Sequence, residues 1–185
     1  EQDFIMSKKI LIISSSPRKN GNSETLCDEF AKGAAEAGNE VEKIRLSDKK
    51  INYCLGCGVC NATGKCVQKD DMAEILQKII DSDVIVLASP VYFYAMNGQM
   101  KTFIDRTITK YTQITNKDFY FIISAADTIQ KHMDKVIECF RGFTADCLDN
   151  AQEKGIVYGL GAWQKGEIEN NTEAMQQAYE FGKNA

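Results

Sequence analysis

Three short, uninterrupted apolar runs constrain the fold of this 185-residue chain more than any other feature. They span residues 10–13, 84–88 and 119–123, and Ile, Val, Leu and Phe dominate them. A strand with no polar face is buried on both sides, as the central strands of parallel sheets are. Parallel strands need long crossovers, usually helical, so the runs predict an α/β fold with helices on both faces of the sheet.

Helical patterns and two weaker strands fill the intervals between these runs. The helical apolar stripes run from about residue 22 to Gly38, over 72–80 after the capping-box-like pair Asp71 and Glu74, from Asn97 to Ile108, from Ile129 to Phe140, and near 175–179. The strand predicted at 40–46 has one polar face and therefore belongs at an edge, and a fifth strand is predicted at 156–158. Five strands that alternate with five helices predict a doubly wound parallel sheet of order 2-1-3-4-5.

Length and composition are those of one globular domain, which we expect to span residues 7–185. The chain is 44% apolar and 26% charged, and its net charge of −4 argues against a nucleic-acid partner. No segment reaches the roughly 18 apolar residues of a membrane span. We interpret residues 1–6 as an expression remnant that ends at a native start, Met6, without the features of an export signal, and expect a cytoplasmic protein.

A polar turn, residues 14–23 and here called the serine turn, joins the first apolar run to the first helical pattern. Backbone N–H groups, hydroxyls and a helix dipole converge in such a turn, which favours a phosphate. The turn lacks the glycine spacings of dinucleotide-binding and P-loop motifs, so a mononucleotide phosphate fits better. The alternative is a polar loop that only caps the helix. The candidate donors are Ser14, Ser16, Arg18, Asn20, Asn22 and Ser23.

An aromatic loop, residues 89–94, follows the second apolar run. Tyr92, Phe93 and Tyr94 offer flat apolar surfaces on which a planar ring can stack. In the predicted sheet this loop lies beside the serine turn, at the carboxyl ends of the strands where ligands bind. The alternative is packing against the next helix or a second subunit. Together the two loops predict a ligand with a phosphate at one end and an aromatic heterocycle at the other.

A cysteine loop, residues 51–68, has no helical or strand period and contains three glycines. Its cysteines are spaced two, two and five residues apart, which lets one loop wrap a compact inorganic core: Cys54, Cys57, Cys60 and Cys66. Three states of this loop stay open, namely an iron-sulfur cluster, free or partly oxidised thiols, and zinc, which usually binds more widely separated pairs. We interpret Cys27, Cys139 and Cys147 as packing residues in helices, and His132 as an ordinary helix residue.

The chain resembles the flavodoxin-like NAD(P)H-dependent FMN reductases and iron-sulfur flavoproteins. The resemblance rests on residues 16–23 (SPRKNGNS), 89–92 (SPVY) and 101–106 (KTFIDR), and covers residues 8–183. It implies a flavodoxin-like fold with bound FMN. The phosphate would bind Ser14, Ser16, Arg18, Asn22 and Ser23, and the ring would lie near Pro90, Val91, Tyr92, Phe93, Ser124, Ala125 and Asp127. It also implies a 4Fe-4S cluster on the four cysteines, relaying electrons to FMN.

The function implied is an FMN-dependent oxidoreductase. Electrons would come from NAD(P)H, which would bind transiently, or from a ferredoxin-like donor. They would pass through the flavin to a small acceptor such as a quinone, a free flavin or oxygen. No side chain need be catalytic, because the flavin carries the chemistry. Two rivals stay open: a non-enzymatic electron carrier of the flavodoxin type, and a redox or metal sensor built on the cysteine loop. The exposed aromatic residues and the resemblance both predict a homodimer or a dimer of dimers.

Overall fold

The computed structural model describes residues 7–185, and the remnant expected at 1–6 lies outside them. The described residues form six strands: β1 (Lys9–Ser14), β2 (Glu40–Arg45), β3 (Val84–Tyr92), β4 (Ala95–Met96), β5 (Asp118–Ala125) and β6 (Gln152–Leu160). Six α-helices accompany them: α1 (Asn22–Glu36), α2 (Val59–Thr63), α3 (Met72–Asp81), α4 (Gly98–Arg106), α5 (Asp134–Cys147) and α6 (Thr172–Lys183). The helix α2 is a single short turn inside the cysteine loop.

The main sheet is parallel and has the order β2-β1-β3-β5-β6. This is the predicted order 2-1-3-4-5, because β5 and β6 are the fourth and fifth strands of the prediction. The strand β2 lies at the edge of the sheet, as its polar face requires. The short strand β4 was not predicted; it folds back on the end of β3 as an antiparallel hairpin that pairs Val91 with Met96. Because β1, β3 and β5 run the same way, the serine turn and the aromatic loop emerge at one edge of the sheet.

The core has two layers, one on each face of the sheet. Alternate residues of the buried strands point to opposite faces, so Ile10 and Ile12 pack with α1 and α6. Leu11 and Ile13 pack on the other face with α3, α4 and α5. The helices α1 and α6 pack closely at Gly182, whose lack of a side chain permits the approach. A Cβ at this position would lie only 1.9 Å from the carbonyl oxygen of Phe30. The two-face burial predicted from the apolar runs is confirmed.

Some predictions from the helical stripes are wrong. The helix α4 ends at Arg106, and Ile108 lies beyond it in a 3-10 turn with 45% of its surface exposed. The helix α5 begins at Asp134, so Ile129 precedes it and is 51% exposed. Cys27 is buried as expected, whereas Cys139 and Cys147 are exposed. These side chains fit a 3.6-residue period but lie on the solvent side or beyond the helix end, and periodicity alone does not distinguish these cases.

The capping pair before α3 also differs from the prediction. Asp71 occupies the N-cap position but makes no side-chain cap hydrogen bond. Its carboxylate instead accepts from the backbone N–H of Lys50 over 2.6 Å, and Asp70 accepts from Met72 over 3.2 Å. The two aspartates thus join the cysteine loop to α3. No helix in the described part of the chain is both long and apolar enough to cross a membrane.

Candidate functional site

The serine turn is fixed to the sheet at its first residues. Ser15 donates both its backbone N–H and its hydroxyl to the carbonyl oxygen of Ala88 in β3, over 3.0 and 2.9 Å. Further along, the hydroxyl oxygen of Ser16 accepts from the backbone N–H of Arg18 over 3.2 Å. A Cβ on Gly21 would lie 2.9 Å from that hydroxyl oxygen and 3.0 Å from the carbonyl oxygen of Arg18. The turn is therefore tightly wound, and only glycine fits at position 21 without a shift.

Two buried hydroxyls of the serine turn have no hydrogen-bond partner among the described residues. Ser14 and Ser23 are each 1% exposed, and both Oγ atoms are unsatisfied. The helix α1 begins at Asn22, and no side chain in the described part of the chain caps its start. The first N–H groups of a helix have no partner within the helix, and the helix dipole makes this end positive. Unsatisfied hydroxyls and uncapped N–H groups at one helix start are the surroundings that an anion requires.

Glu24 stabilises the backbone of the serine turn, and its side chain is almost fully buried. Its carboxylate accepts from the backbone N–H of Asn20 over 2.6 Å, where the backbone is left-handed with φ +54°. Lys43 and Arg45 of β2 balance its charge, with N···O distances of 3.3 and 2.8 Å. A buried carboxylate is tolerated only when it is paired in this way. The carboxylate thus fixes the geometry of the turn, a role that sequence reasoning missed.

The loop after β6 closes over the serine turn. Arg18 donates from Nη1 to the carbonyl oxygen of Trp163 over 2.9 Å. Asn22 donates to the carbonyl oxygen of Gln164 over 2.9 Å and accepts from the backbone N–H of Ile168 over 3.3 Å. Two of the predicted phosphate donors are thus already partnered by this loop. Trp163 remains mostly exposed beside them.

Asn97 connects the serine turn, the aromatic loop and α4. It is 1% exposed and donates from Nδ2 to the carbonyl oxygen of Ser15 over 2.7 Å. Its backbone N–H donates to the hydroxyl of Ser89 over 3.0 Å, and its side-chain oxygen accepts from the N–H of Met100, which caps α4. Sequence reasoning identified Asn97 only as a helix start. The signal available was a capping residue that directly follows the aromatic loop.

The aromatic loop stands at the carboxyl edge of the sheet, beside the end of β5. Pro90 is opposite Ser124 in the parallel register. Phe93 is fully exposed, and Tyr92 and Tyr94 are half-exposed. Phe93 and Tyr94 both have left-handed backbone, with φ values of +51° and +60°. Non-glycine residues adopt this conformation at a cost, and such strain concentrates at functional sites.

Three polar side chains meet where the aromatic loop approaches the loop after β5. One oxygen of Asp127 contacts Nδ1 of His132 at 2.7 Å and accepts from the hydroxyl of Tyr94 over 3.1 Å. The hydrogen bond from His132, with others from the backbone of Ile129 and from Tyr94, lowers the pKa of Asp127. The hydrogen bond to Asp127 raises the pKa of Tyr94. His132 lies in a 3-10 turn before α5 and takes part in this cluster, which its place in a helical stripe did not indicate.

The cysteine loop places its four cysteines around one cavity. A cavity of about 200 Å³ is lined by all four, together with Arg106. Gly56 and Gly58 have left-handed backbone with φ +62° and +72°, which turns the chain between the cysteines. All four are free thiols, and among residues 7–185 no group of three or more Cys, His, Asp or Glu side chains converges on a point that would hold one metal ion. The four thiols therefore surround a space rather than a single point.

Comparison with known proteins identifies the family. Residues 8–145 match the family model described as NADPH-dependent FMN reductase. The chain belongs to this FMN reductase family. It is 51% identical over 100 residues to an iron-sulfur flavoprotein of Archaeoglobus fulgidus, a match that covers 54% of this chain and 46% of the relative. An iron-sulfur flavoprotein of Methanosarcina thermophila is 37% identical over 100 residues, with 54% and 52% covered. The match thus spans about half the length of these relatives.

Solved structures agree on the fold of this FMN reductase family member. The NAD(P)H:quinone oxidoreductase from Methanothermobacter marburgensis superposes with a TM-score of 0.75 at 15% identity, covering 97% of both chains. An FMN-dependent NADH-azoreductase from Bacillus anthracis, solved in complex with FMN, has a TM-score of 0.73 at 17% identity, covering 95% of this chain and 98% of the other. At this identity the likeness concerns the fold alone, and the predicted flavodoxin-like architecture is confirmed.

The structure brings the sequence-predicted residues of this family member into three neighbourhoods. Around the start of α1 lie Ser14, Ser16, Asn20, Asn22 and Ser23, whereas the Arg18 side chain turns to the loop after β6. At the ends of β3 and β5 lie Pro90, Val91, Tyr92, Phe93, Ser124, Ala125 and Asp127. The four cysteines share the cavity already described.

Proposed function

We propose that this chain binds FMN and acts as an NAD(P)H-dependent reductase, with the FMN phosphate at the start of α1. The observation that carries the proposal is the pair of buried hydroxyls of Ser14 and Ser23, which have no partner within residues 7–185 and lie at a helix start without a side-chain cap from those residues. Hydroxyl and backbone N–H donors without protein partners are satisfied by phosphate oxygens. FMN, when bound, accepts a hydride and can release electrons one at a time. The chain's task is to bind, orient and surround it.

A binding experiment tests the phosphate site. FMN and riboflavin share the same ring, and only FMN carries the phosphate. Titration of the protein with each flavin, followed by flavin fluorescence, is expected to give at least 100-fold tighter binding of FMN, since several hydrogen bonds to a charged group are involved. Equal affinities would contradict the assignment. Ser23→Ala is expected to weaken FMN binding and leave riboflavin binding unchanged.

The ring of FMN is proposed to lie against two neighbouring strand ends, which are adjacent because Pro90 and Ser124 are register partners. The proposed contacts are Pro90, Val91, Tyr92 and Phe93 at the end of β3, and Ser124, Ala125 and Asp127 at the end of β5. The exposed faces of Tyr92 and Phe93 provide apolar surface for a planar ring or a planar acceptor. Asp127, His132 and Tyr94 place hydrogen-bonding groups at the same rim. This arrangement supports a small aromatic acceptor such as a quinone or a flavin.

We further propose that the cysteine loop holds an iron-sulfur cluster, on Cys54, Cys57, Cys60 and Cys66. Support comes from the four thiols around one cavity and from the relatives that bear the name iron-sulfur flavoprotein. Cysteine thiolates are the usual ligands of such clusters, and a 4Fe-4S cluster would relay single electrons. Anaerobic reconstitution with iron and sulfide is expected to give about four irons and four sulfides per chain. Retention of zinc, or no iron at all, would contradict the proposal.

The activity is proposed as electron transfer from NAD(P)H, or from a ferredoxin-like donor, through FMN to the small acceptor. No described residue has to form a covalent bond to substrate, because the bound flavin supplies the chemistry. We also propose a homodimer or a dimer of dimers, since Phe93 and Trp163 stand exposed at the rim of the site. Sedimentation equilibrium is expected to give twice or four times the mass of one chain, and a monomer at micromolar concentration would contradict the proposed assembly.

A further inference from the structure

Arg106, the last residue of α4, carries a fully buried positive charge next to the cysteine loop. Its side chain is 2% exposed, and that of its partner Asp70 is 1% exposed. Two N–H groups of the guanidinium donate to the two oxygens of Asp70 over 2.7 and 3.0 Å. Burying two charges is unfavourable unless each makes further hydrogen bonds. The additional partners of this pair therefore indicate what the pair does.

Those partners lie at the neck of the cysteine loop. Arg106 donates from Nη1 to the carbonyl oxygen of Asn52 over 2.8 Å. Asp70 accepts from the backbone N–H of Asn52 over 3.0 Å. Both backbone groups of Asn52 thus bind the ion pair, and residues 52 and 70 flank all four cysteines. The ion pair holds the two ends of the loop together.

Arg106 also reaches a cysteine of the loop. Its Nη2 lies 3.5 Å from Sγ of Cys66, within hydrogen-bonding distance for sulfur, and Arg106 lines the same cavity as the four thiols. The chain has four arginines. The side chains of the other three bind groups outside the loop: Arg18 binds Trp163, Arg45 binds Glu24 and Asp48, and Arg141 binds Glu138 and Glu153. In the described part of the chain, Arg106 is the arginine that contacts a loop cysteine.

We propose that Arg106 is a positioning residue of the cysteine site: it closes the loop and donates an N–H to the Cys66 sulfur, which stabilises added negative charge at that sulfur. The inference rests on the proposed cluster. Cluster reduction adds one electron, and part of the added charge resides on the sulfurs. A charge-assisted N–H···S hydrogen bond therefore favours the reduced form, and the reduction potential rises.

Potentiometric titration with dithionite as the electron source tests this proposal in the cluster-loaded protein. Arg106→Gln keeps an N–H donor but loses the charge, and is expected to lower the equilibrium constant for one-electron reduction about tenfold, equivalent to about 59 mV. Arg106→Lys keeps the charge and is expected to cause a smaller decrease in the same direction. The control Arg141→Gln removes a half-exposed arginine of α5, which binds Glu138 and Glu153 instead of the cysteine loop, and is expected to leave the potential unchanged. An unchanged potential in a folded, loaded Arg106→Gln protein would overturn the proposal.

A measurement on the unaltered protein covers the case in which Arg106 variants do not fold. The chain is labelled with ¹⁵N-arginine, the cluster is reduced, and pulsed EPR is recorded. A ¹⁵N coupling to the cluster is expected from Arg106, because the guanidinium contacts the Cys66 sulfur. A cluster signal without ¹⁵N coupling would overturn the role of Arg106. No cluster signal after reconstitution would overturn the cluster itself, and the Arg106 proposal with it, so the two failures are distinguishable.

Discussion

Asn97 donates its side-chain amide to the carbonyl oxygen of Ser15 over 2.7 Å, which joins the start of α4 to the serine turn. The same side chain caps α4 through the N–H of Met100. One buried residue thus fixes the distance between the serine turn and the helix that follows the aromatic loop.

Asn97→Ala is expected to lower the free energy of unfolding by about 2–4 kcal/mol, because it removes a helix cap and leaves a buried carbonyl unpaired. FMN binding should weaken about tenfold as the serine turn loosens. Urea unfolding and flavin titration check the two effects. The control is Asn171→Ala, which removes the cap of α6. This control should reduce the stability of the protein but leave its FMN affinity unchanged. An equal loss of FMN affinity in both variants would contradict the role of Asn97.

Gly21→Ala is expected to weaken FMN binding at least tenfold with little change in global stability. The backbone conformation at position 21 suits alanine, but the new Cβ would lie 2.9 Å from the Ser16 hydroxyl oxygen and push the turn outward. The matched control is Gly142→Ala within α5, where a Cβ meets nothing within 4 Å. That change should raise the free energy of unfolding by about 0.5–1 kcal/mol. Unaltered FMN affinity in Gly21→Ala would show that the turn does not cradle the phosphate.

The buried pair of Asp70 and Arg106 predicts a pH-dependent stability difference. Burial by itself raises the pKa of Asp70, but hydrogen bonds from Arg106 and from backbone N–H groups outweigh it, so the pKa lies below the ordinary value of 3.8. The stabilisation is therefore complete above about pH 4 and is lost as the pH falls through the lower folded-state pKa.

Asp70→Asn at pH 7 is expected to destabilise the protein by about 3–5 kcal/mol, because it leaves Arg106 buried without a counter-ion. The difference from the unaltered protein should shrink as the pH falls from 7 through the lowered pKa of Asp70, because Asp70 itself then becomes protonated. Urea unfolding across this pH range measures it. A stability difference that stays constant with pH would contradict the assigned ionisation of Asp70.

Asp127→Asn is expected to bring the pKa of Tyr94 down towards its ordinary value of 10.0, since the hydrogen bond to Asp127 is the main cause of its raised pKa. NMR titration of ¹³C-labelled tyrosines follows each ring separately. Tyr179 serves as an internal control, because Glu36 raises its pKa on the far side of the molecule and should continue to do so. A Tyr94 titration unchanged by the substitution would exclude the contact with Asp127.

The fold could be predicted from the sequence because a strand that is buried on both faces appears there as an uninterrupted apolar run. The run at 10–13 has no polar residue and lies buried between β2 and β3, and the polar face of β2 identified it as an edge strand. The serine turn could also be identified, since its hydroxyls and its position between a strand and a helix are both local features. Periodicity was misleading at helix ends, where Ile108 and Ile129 continue a stripe beyond the helix that bears it, and at Cys139, which lies on the exposed side of α5.

The polar contacts that hold the site together could not be predicted from the sequence, because several of the partners are far apart along the chain. Asn97 and Ser15 are 82 residues apart, and Arg106 and Asp70 are 36 apart. Asp70 and Asp71 are adjacent in sequence, and only the folded loop decides which of them pairs with Arg106. His132 fits a helical stripe as well as any other residue, and its contact with Asp127 depends on a 3-10 turn that no sequence period predicts. Long-range polar pairs of this kind carry no local signal.

Anaerobic reduction of the FMN-loaded protein by NADPH and by NADH tests whether the bound flavin accepts electrons from a nicotinamide. Visible absorption reports the oxidation state of the bound flavin, and free FMN with the same nicotinamide serves as the control. Protein-bound FMN is expected to bleach rapidly with at least one donor, whereas free FMN is not. Bound FMN that stays oxidised under an excess of both donors would contradict the assignment of this chain as an NAD(P)H-dependent FMN reductase.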